Sequence, residues 1–195
     1  MLGLQRAIEE DDQEVVESCL PVLGVSCRLP GVGGPSPAML AASLGRAAAL
    51  AAVLDKGGIC SYDERSGVTG LIALSSGDRG NPGEDVRCAE LLVEAGEEVE
   101  AVSSQGITAL MAAARAGKAA LVAWLADRGA LLDRRELQGW TALHFSVVGD
   151  RPCPSDPGAQ DGGHGEVARL LLERGADPLL VTKDGQTVIE PMEGF

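Results

Sequence analysis

Short apolar runs recur along the chain, each ended by glycine, and they predict pairs of short helices. In the clearest pair, the first helix opens at Thr141 and the second covers Val167 to Glu173. Gly175 follows the second helix, as expected for a residue that takes up the left-handed backbone conformation at a helix end. A turn ending at Gly139 precedes the pair. The pattern therefore predicts a turn–helix–helix unit over residues 138–181.

The same unit recurs when the chain is aligned on the Thr or Ser that opens each first helix. These anchor residues are Ser36, Thr69, Thr108, Thr141 and Thr187. Consecutive anchors lie 33, 39, 33 and 46 residues apart, so two intervals equal 33 and two exceed it by 6 and 13. A fixed period with insertions in two units predicts a repeat array.

The period divides the chain into six parts within one domain. They are an N-terminal cap at 1–27, units two to five at 28–60, 61–99, 100–132 and 133–181, and a half-unit at 182–195. Pro191 follows the last anchor so closely that the helix begun there cannot continue. The end of the chain is therefore either a short cap or the point where a longer protein has been cut.

The unit resembles an ankyrin repeat, a turn–helix–helix module of about 33 residues with the motif T-P-L-H-x-A. Thr141-Ala142-Leu143-His144 follows this motif closely, and Ser36-Pro37-Ala38-Met39 and Thr108-Ala109-Leu110-Met111 follow it in part. The resemblance covers nearly the whole chain. It implies an all-α solenoid of stacked helix–turn–helix units with projecting β-hairpin-like turns. It also implies that His144 braces the turn by bonding its backbone.

Unit three departs furthest from the motif. Gly70 stands where Pro or Ala is usual, so we expect its first helix to be the weakest of the array. Insertions near 78–83 and at 150–162 separate the two helices of units three and five, on the edge opposite the turns. Either these insertions are surface loops that the fold tolerates, or they form a second surface that contacts a partner.

Composition and charge narrow the classes of function. Aromatic residues make up 3% of the chain while Ala, Leu and Gly abound, which suits closely stacked helices better than a β-sandwich. The net charge of −13 argues against non-specific binding to nucleic acids or anionic membranes, because both need clustered positive charge. The acidic excess of the N-terminal half either attracts a basic partner or keeps the surface soluble.

The cysteines and apolar stretches predict an intracellular, cytoplasmic protein, with the nucleus as the alternative. The five cysteines are odd in number and form no CxxC pair, which is typical of reduced thiols. The acidic N-terminal stretch lacks the apolar run of a signal peptide. The longest near-apolar stretch, 37–54, is interrupted by Gly45-Arg46, so we expect no membrane insertion.

No pattern predicts catalysis, a cofactor or a metal. His144 and His164 are the only histidines, and both fall at positions of the repeat pattern. Ser146 follows His144 by two residues and is expected to point inward, which does not suit a catalytic relay. Cys153 and His164 lack two further ligands at zinc-like spacing. We therefore expect a non-enzymatic chain.

By resemblance, ankyrin arrays bind proteins through their projecting turns, here called fingers, and through first helices that line a concave groove. We expect the partner-binding surface mainly in units four and five. The candidate residues are Val68, Ile107, Arg115, Arg134, Arg135, Trp140, Phe145 and Val148.

Two of these choices leave alternatives open. Trp140 is either a binding hot spot or packs on the adjacent finger against Ile107 or Arg134. Arg134 and Arg135 either pair with acidic side chains of a partner or are solvated residues at a finger tip. The sequence thus predicts a monomeric protein–protein interaction module, an adaptor or scaffold. The alternative is a regulatory or targeting segment of a larger enzyme or receptor.

Overall fold

The computed structural model describes residues 2–23, 29, 35–60, 66–77, 81–148 and 163–188. Within these ranges the chain forms ten α-helices and no β-strand. The helices are α1 (Leu2–Glu9), α2 (Gln13–Leu23), α3 (Pro37–Ser43), α4 (Ala47–Asp55), α5 (Gly70–Ser76), α6 (Pro82–Glu94), α7 (Ala109–Ala116), α8 (Ala119–Asp127), α9 (Ala142–Val148) and α10 (His164–Glu173). None of these helices combines the length and apolar character needed to cross a bilayer. The predicted all-α array of helix pairs is confirmed.

The helices stack in two layers. The first helix of each pair contacts the first helix of the next pair, from α1 through α3, α5 and α7 to α9, and the second helices stack in the same way from α2 to α10. Ala113 and Ala114 of α7 are fully buried between α5 and α9. Alanine at these contacts lets helices approach closely, as the aromatic-poor composition predicted. The insertion residues 78–80 and 149–162 and the chain end at 189–195 lie outside the described residues.

Four of the five anchor residues, Ser36, Thr69, Thr108 and Thr141, immediately precede the first helices α3, α5, α7 and α9, as their spacing predicted. The hydroxyl oxygens of Ser36, Thr69 and Thr108 each accept a hydrogen bond from the backbone N–H three residues later. Such a cap satisfies one of the N–H groups that a helix leaves unpaired at its start. In these three units the repeat period therefore marks the N-terminal cap of the first helix.

Neighbouring fingers are joined by backbone hydrogen bonds at equivalent positions. The donor–acceptor pairs are Ser104 N to Ser66 O at 2.8 Å, Leu137 N to Gln105 O at 3.2 Å, and Lys183 N to Gln138 O at 2.9 Å. In each pair, the donor lies four residues before its anchor and the acceptor lies three before the preceding anchor. The fingers of units three to six are thus joined in series by their backbones.

The first helix of unit three is supported by a contact that its sequence did not reveal. The two carboxylate oxygens of Glu97 accept hydrogen bonds from the backbone N–H groups of Gly70 and Leu71, at 3.0 and 2.8 Å. A Cβ atom added at Gly70 would lie 2.5 Å from that carboxylate and 2.7 Å from Sγ of Cys60. Glycine therefore makes room for an acidic cap, which complements the positive end of the helix. Burial raises the pKa of Glu97, and the two backbone donors oppose that rise.

On the edge opposite the fingers, unit four is bonded to both of its neighbours. Lys118 Nζ lies 3.2 Å from Asp85 Oδ2 and donates to the carbonyl of Leu74 at 2.8 Å, which joins unit four to unit three. The side chains of this ion pair are each only 4% exposed. His164 Nε2 lies 2.9 Å from the carbonyl oxygen of Arg115, which joins unit five to unit four. The sequence reasoning did not predict either bond.

Candidate functional site

A cleft of about 620 Å³ opens on the finger side, between units four and five. Its lining residues are Gln105, Ile107, Arg115, Glu136, Gln138, Trp140 and Phe145. A second cleft, of about 420 Å³, shares Gln105, Ile107, Arg115 and Phe145 with the first and extends to Ser76 at the end of α5. We refer to the two connected spaces as the groove cleft.

Four of the eight candidate residues meet at this cleft. Ile107 and Trp140 immediately precede the anchors of units four and five, so each stands where a finger joins its first helix. Arg115 lies in the last turn of α7, and Phe145 lies in α9. The repeat geometry brings these side chains together because α7 and α9 are stacked neighbours.

Trp140 makes two ring contacts within its own unit. Its ring centroid lies 5.4 Å from that of Phe145 and 6.1 Å from that of His144, both tilted. The Trp140 side chain is half-buried, so these contacts fix its ring and leave part of its surface open.

The finger that carries Trp140 is braced by Glu136. One carboxylate oxygen of Glu136 accepts hydrogen bonds from the backbone N–H groups of Gln138 and Trp140, at 2.8 and 3.0 Å. Glu136 N in turn donates to the carbonyl of Trp140 at 3.0 Å. The wall of the cleft is therefore preorganised, which reduces the entropy lost when a partner binds.

The two arginines of the fifth finger already have partners within the chain. Arg134 Nη1 lies 2.8 Å from Glu100 Oε2 on the preceding finger, in a partly exposed ion pair. Arg135 Nε donates to the carbonyl of Gly139 at 3.3 Å. Neither residue lines the groove cleft. Neither alternative given for Arg134 had anticipated its pairing across the fingers.

The remaining two candidates lie apart from this site. Val68, on the third finger, is half-buried against the core and does not line the cleft. Val148 is the last residue of α9, and its side chain is outside the described part of the structure.

His144 has the bracing role that the motif implies. The backbone N–H of Thr141 donates to His144 Nδ1 at 3.3 Å, and the Thr141 hydroxyl lies 2.8 Å from the same nitrogen. An accepting Nδ1 leaves the proton of the neutral ring on Nε2. The residue is 5% exposed, and burial lowers its pKa, an effect partly offset by the backbone of Gln186 and Leu180.

The lowered pKa of His144 makes stability dependent on pH. Below pH 6.5 the unfolded chain takes up a proton at this position more readily than the folded chain, so stability falls as the pH falls through that range. We expect the stability advantage of wild type over His144→Gln to be smaller at pH 5.5 than at pH 7.5. Uptake of one proton cannot change the free energy of unfolding by more than about 1.4 kcal/mol per pH unit. Urea unfolding at both values measures it, and an advantage that stays constant would contradict the prediction.

Among the described residues, the Ser146 hydroxyl and the metal-ligating residue types form no evident catalytic or metal site. The Ser146 hydroxyl donates to the carbonyl of Leu143 at 2.7 Å and is almost fully buried, so it is not presented to a substrate. No group of three or more His, Cys, Asp or Glu residues suited to a metal ion occurs among the described residues.

The comparison with known families supports the repeat pattern. The family model described as ankyrin repeats (3 copies) matches residues 79–182, just over half of the chain. That region contains all the residues that line the groove cleft except Ser76. No curated protein matches the chain significantly.

Proposed function

We propose that this chain, which belongs to the ankyrin repeat family, is a non-enzymatic adaptor or scaffold. Its protein partner docks in the groove cleft. Ankyrin repeats generally mediate protein–protein interaction, and stacked repeats present extended concave surfaces for it. The observation that carries the proposal is the convergence of Ile107, Trp140 and Phe145 on one open cleft.

The cleft has the anatomy of an interaction hot spot. A partly open aromatic pair, Trp140 and Phe145, stands beside an aliphatic side chain from the neighbouring finger. Exposed amides from Gln105 and Gln138 form part of its rim. Binding energy at protein interfaces concentrates on such aromatic anchors surrounded by polar residues that exclude water.

We further propose that the module acts as a monomer inside the cell, in the cytoplasm or the nucleus. The odd number of cysteines and the lack of a CxxC pair support the intracellular part of this proposal. The alternative is that the chain is a regulatory or targeting segment of a larger enzyme or receptor. In that case the same cleft would bind another part of that assembly. The native reading frame downstream of Phe195 distinguishes these two possibilities.

The chain offers a matched pair of tryptophans to test the site. Trp140 lines the cleft, whereas Trp124 is a half-buried residue of α8 with the Arg128 guanidinium 4.5 Å from its ring centroid. We expect Trp140→Ala to reduce capture of bound proteins about tenfold or more, since it removes an aromatic anchor. Trp124→Ala should leave that capture unchanged. Affinity purification from cell extract with quantitative mass spectrometry measures both.

Circular dichroism and thermal unfolding establish first that both variants remain folded. If the two variants retain the same proteins in the same amounts as wild type, the groove cleft is not the docking site. If Trp124→Ala loses the captured proteins and Trp140→Ala keeps them, the partner binds the outer helical layer instead.

A further inference from the structure

The charge of the groove cleft indicates which kind of partner it fits. We propose that the cleft recognises an extended acidic peptide segment, in which a bulky apolar side chain lies within two residues of an Asp or Glu. The apolar side chain packs against Trp140 and Phe145, and the carboxylate pairs with Arg115. This inference rests on the proposed function and adds to it the chemistry of the partner.

The cleft is lined by one anionic and one cationic side chain, Glu136 and Arg115. One oxygen of the Glu136 carboxylate, Oε1, accepts hydrogen bonds from two backbone N–H groups of its own finger, which holds this side chain against the finger. Arg115 is exposed, and none of the ion pairs among the described residues includes it. Its backbone carbonyl holds His164, which fixes the end of α7 and so the base of the side chain.

The position of Arg115 favours a carboxylate ligand. Its side chain lines both connected spaces together with Ile107 and Phe145. Beside apolar surface the effective dielectric constant is lower than in water, so a charge-assisted pair is stronger there. A guanidinium also matches a carboxylate with two parallel hydrogen bonds. A basic side chain placed against Arg115 would be repelled by its guanidinium.

The rim favours an extended peptide over a helix. Gln105 and Gln138 occupy equivalent positions, three residues before the anchors of neighbouring fingers, and both are exposed. Each amide offers a hydrogen-bond donor and an acceptor. The backbone of an extended peptide has free N–H and C=O groups to meet them, whereas a helix uses these groups internally. Two amides on adjacent fingers therefore suit a peptide that crosses the fingers.

The chain's overall charge does not provide this selectivity. Residues 1–100 carry 7 Lys and Arg against 17 Asp and Glu, so the acidic excess lies mainly outside units four and five. At physiological salt, electrostatic forces between exposed charges are screened beyond about 8 Å. An acidic ligand must therefore be recognised by direct contact, which makes Arg115 the residue to test.

A library of random peptides displayed on phage tests the proposal without knowledge of the natural partner. The library is selected on the wild-type chain, and the affinities of the enriched peptides are measured for Arg115→Ala, Arg115→Glu and Trp140→Ala. We expect the enriched peptides to carry Asp or Glu within two residues of a bulky apolar side chain. Arg115→Ala should weaken them about tenfold. Selection on Arg115→Glu should enrich Lys or Arg at the acidic position.

Arg87→Glu provides the matched control, since it makes the same change of charge at an exposed position of α6, outside the cleft. It should bind the enriched peptides like wild type. Peptides that depend on Trp140 but show no acidic preference, or keep their affinity for Arg115→Ala, would overturn this inference and leave the proposed function standing. Failure to select any peptide that depends on Trp140 would also overturn it. The proposed function has its own test in the capture of intact proteins.

Discussion

Replacing Lys118 with alanine is expected to lower the free energy of unfolding by about 3–5 kcal/mol, because it leaves a buried carboxylate without its counter-charge. Asp85 and Lys118 are almost fully buried, and Oδ1 of Asp85 already lacks a hydrogen-bond partner. The substitution also removes the donor to the carbonyl of Leu74. Units three and four would thus lose both polar links that this side chain provides.

The chain contains an exposed ion pair for comparison. Arg174 and Asp127 join units five and four with an N–O distance of 3.0 Å, but their side chains are 32% and 68% exposed. Arg174→Ala should cost only about 0–1 kcal/mol, because water solvates the remaining charge. Urea unfolding followed by circular dichroism measures both variants. Equal losses for Lys118→Ala and Arg174→Ala would show that burial of the first pair does not govern its contribution.

A double variant separates the charge effect from packing. Asp85→Ala combined with Lys118→Ala removes both charges, so no lone ion remains in the interior. We expect the double variant to be more stable than Lys118→Ala alone, although it has lost more atoms. The opposite order would indicate that packing of the two side chains, and not the unpaired charge, dominates the loss.

Replacing Gly163 with alanine is expected to cost about 2–4 kcal/mol, from backbone strain and a steric clash together. Gly163 has a φ of +80°, a conformation that an L side chain rarely adopts. A Cβ added there would lie 2.5 Å from the carbonyl oxygen of Gly117 in unit four. Backbone cannot move aside as the end of a flexible side chain can, so unit five would be pushed away from unit four.

Gly175 isolates the two contributions. It has a φ of +93°, but an added Cβ would meet nothing within 4 Å. Gly175→Ala should therefore show only the backbone cost of about 1–2 kcal/mol. Urea unfolding of the two variants gives the difference, which reports the close approach of units four and five. No difference between them would mean that this contact relaxes at negligible cost.

The sequence predicted the repeat architecture because its determinants are local. A Thr or Ser at the start of a helix caps it with its own side chain, so Thr69 and Thr108 carry their structural role within a few residues. Gly70 shows the limit of such reasoning. Its helix propensity predicts a weak helix, but it cannot reveal the carboxylate of Glu97 that caps that helix from 27 residues away.

The candidate site was predicted in part for a similar reason. The repeat period places Ile107, Trp140, Arg115 and Phe145 on one side of the stack, and the structure brings them to one cleft. The repeat period does not determine which rotamer a long side chain adopts. Arg134 therefore could not be assigned to Glu100, a residue of the preceding finger, from the sequence pattern alone.

The sequence carries one signal for the buried ion pair. With the insertions of 6 and 13 residues removed, Arg46, Asp85, Lys118 and His164 all occupy the position ten residues after their anchors. Stacking places equivalent positions of neighbouring units side by side. Opposite charges at that position in units three and four therefore indicate a cross-unit pair. The repeat position does not reveal that this pair would be buried.

The sequence by itself determined the length of the unit and the residues that start its helices. These features depend on hydrogen bonds and steric preferences between residues close along the chain. Only the tertiary structure decided that Asp85 and Lys118 form a buried pair, that Gly163 touches the backbone of Gly117, and that Arg115 stands beside an open aromatic cleft. These contacts join residues of different units, so they form only after the helices have stacked.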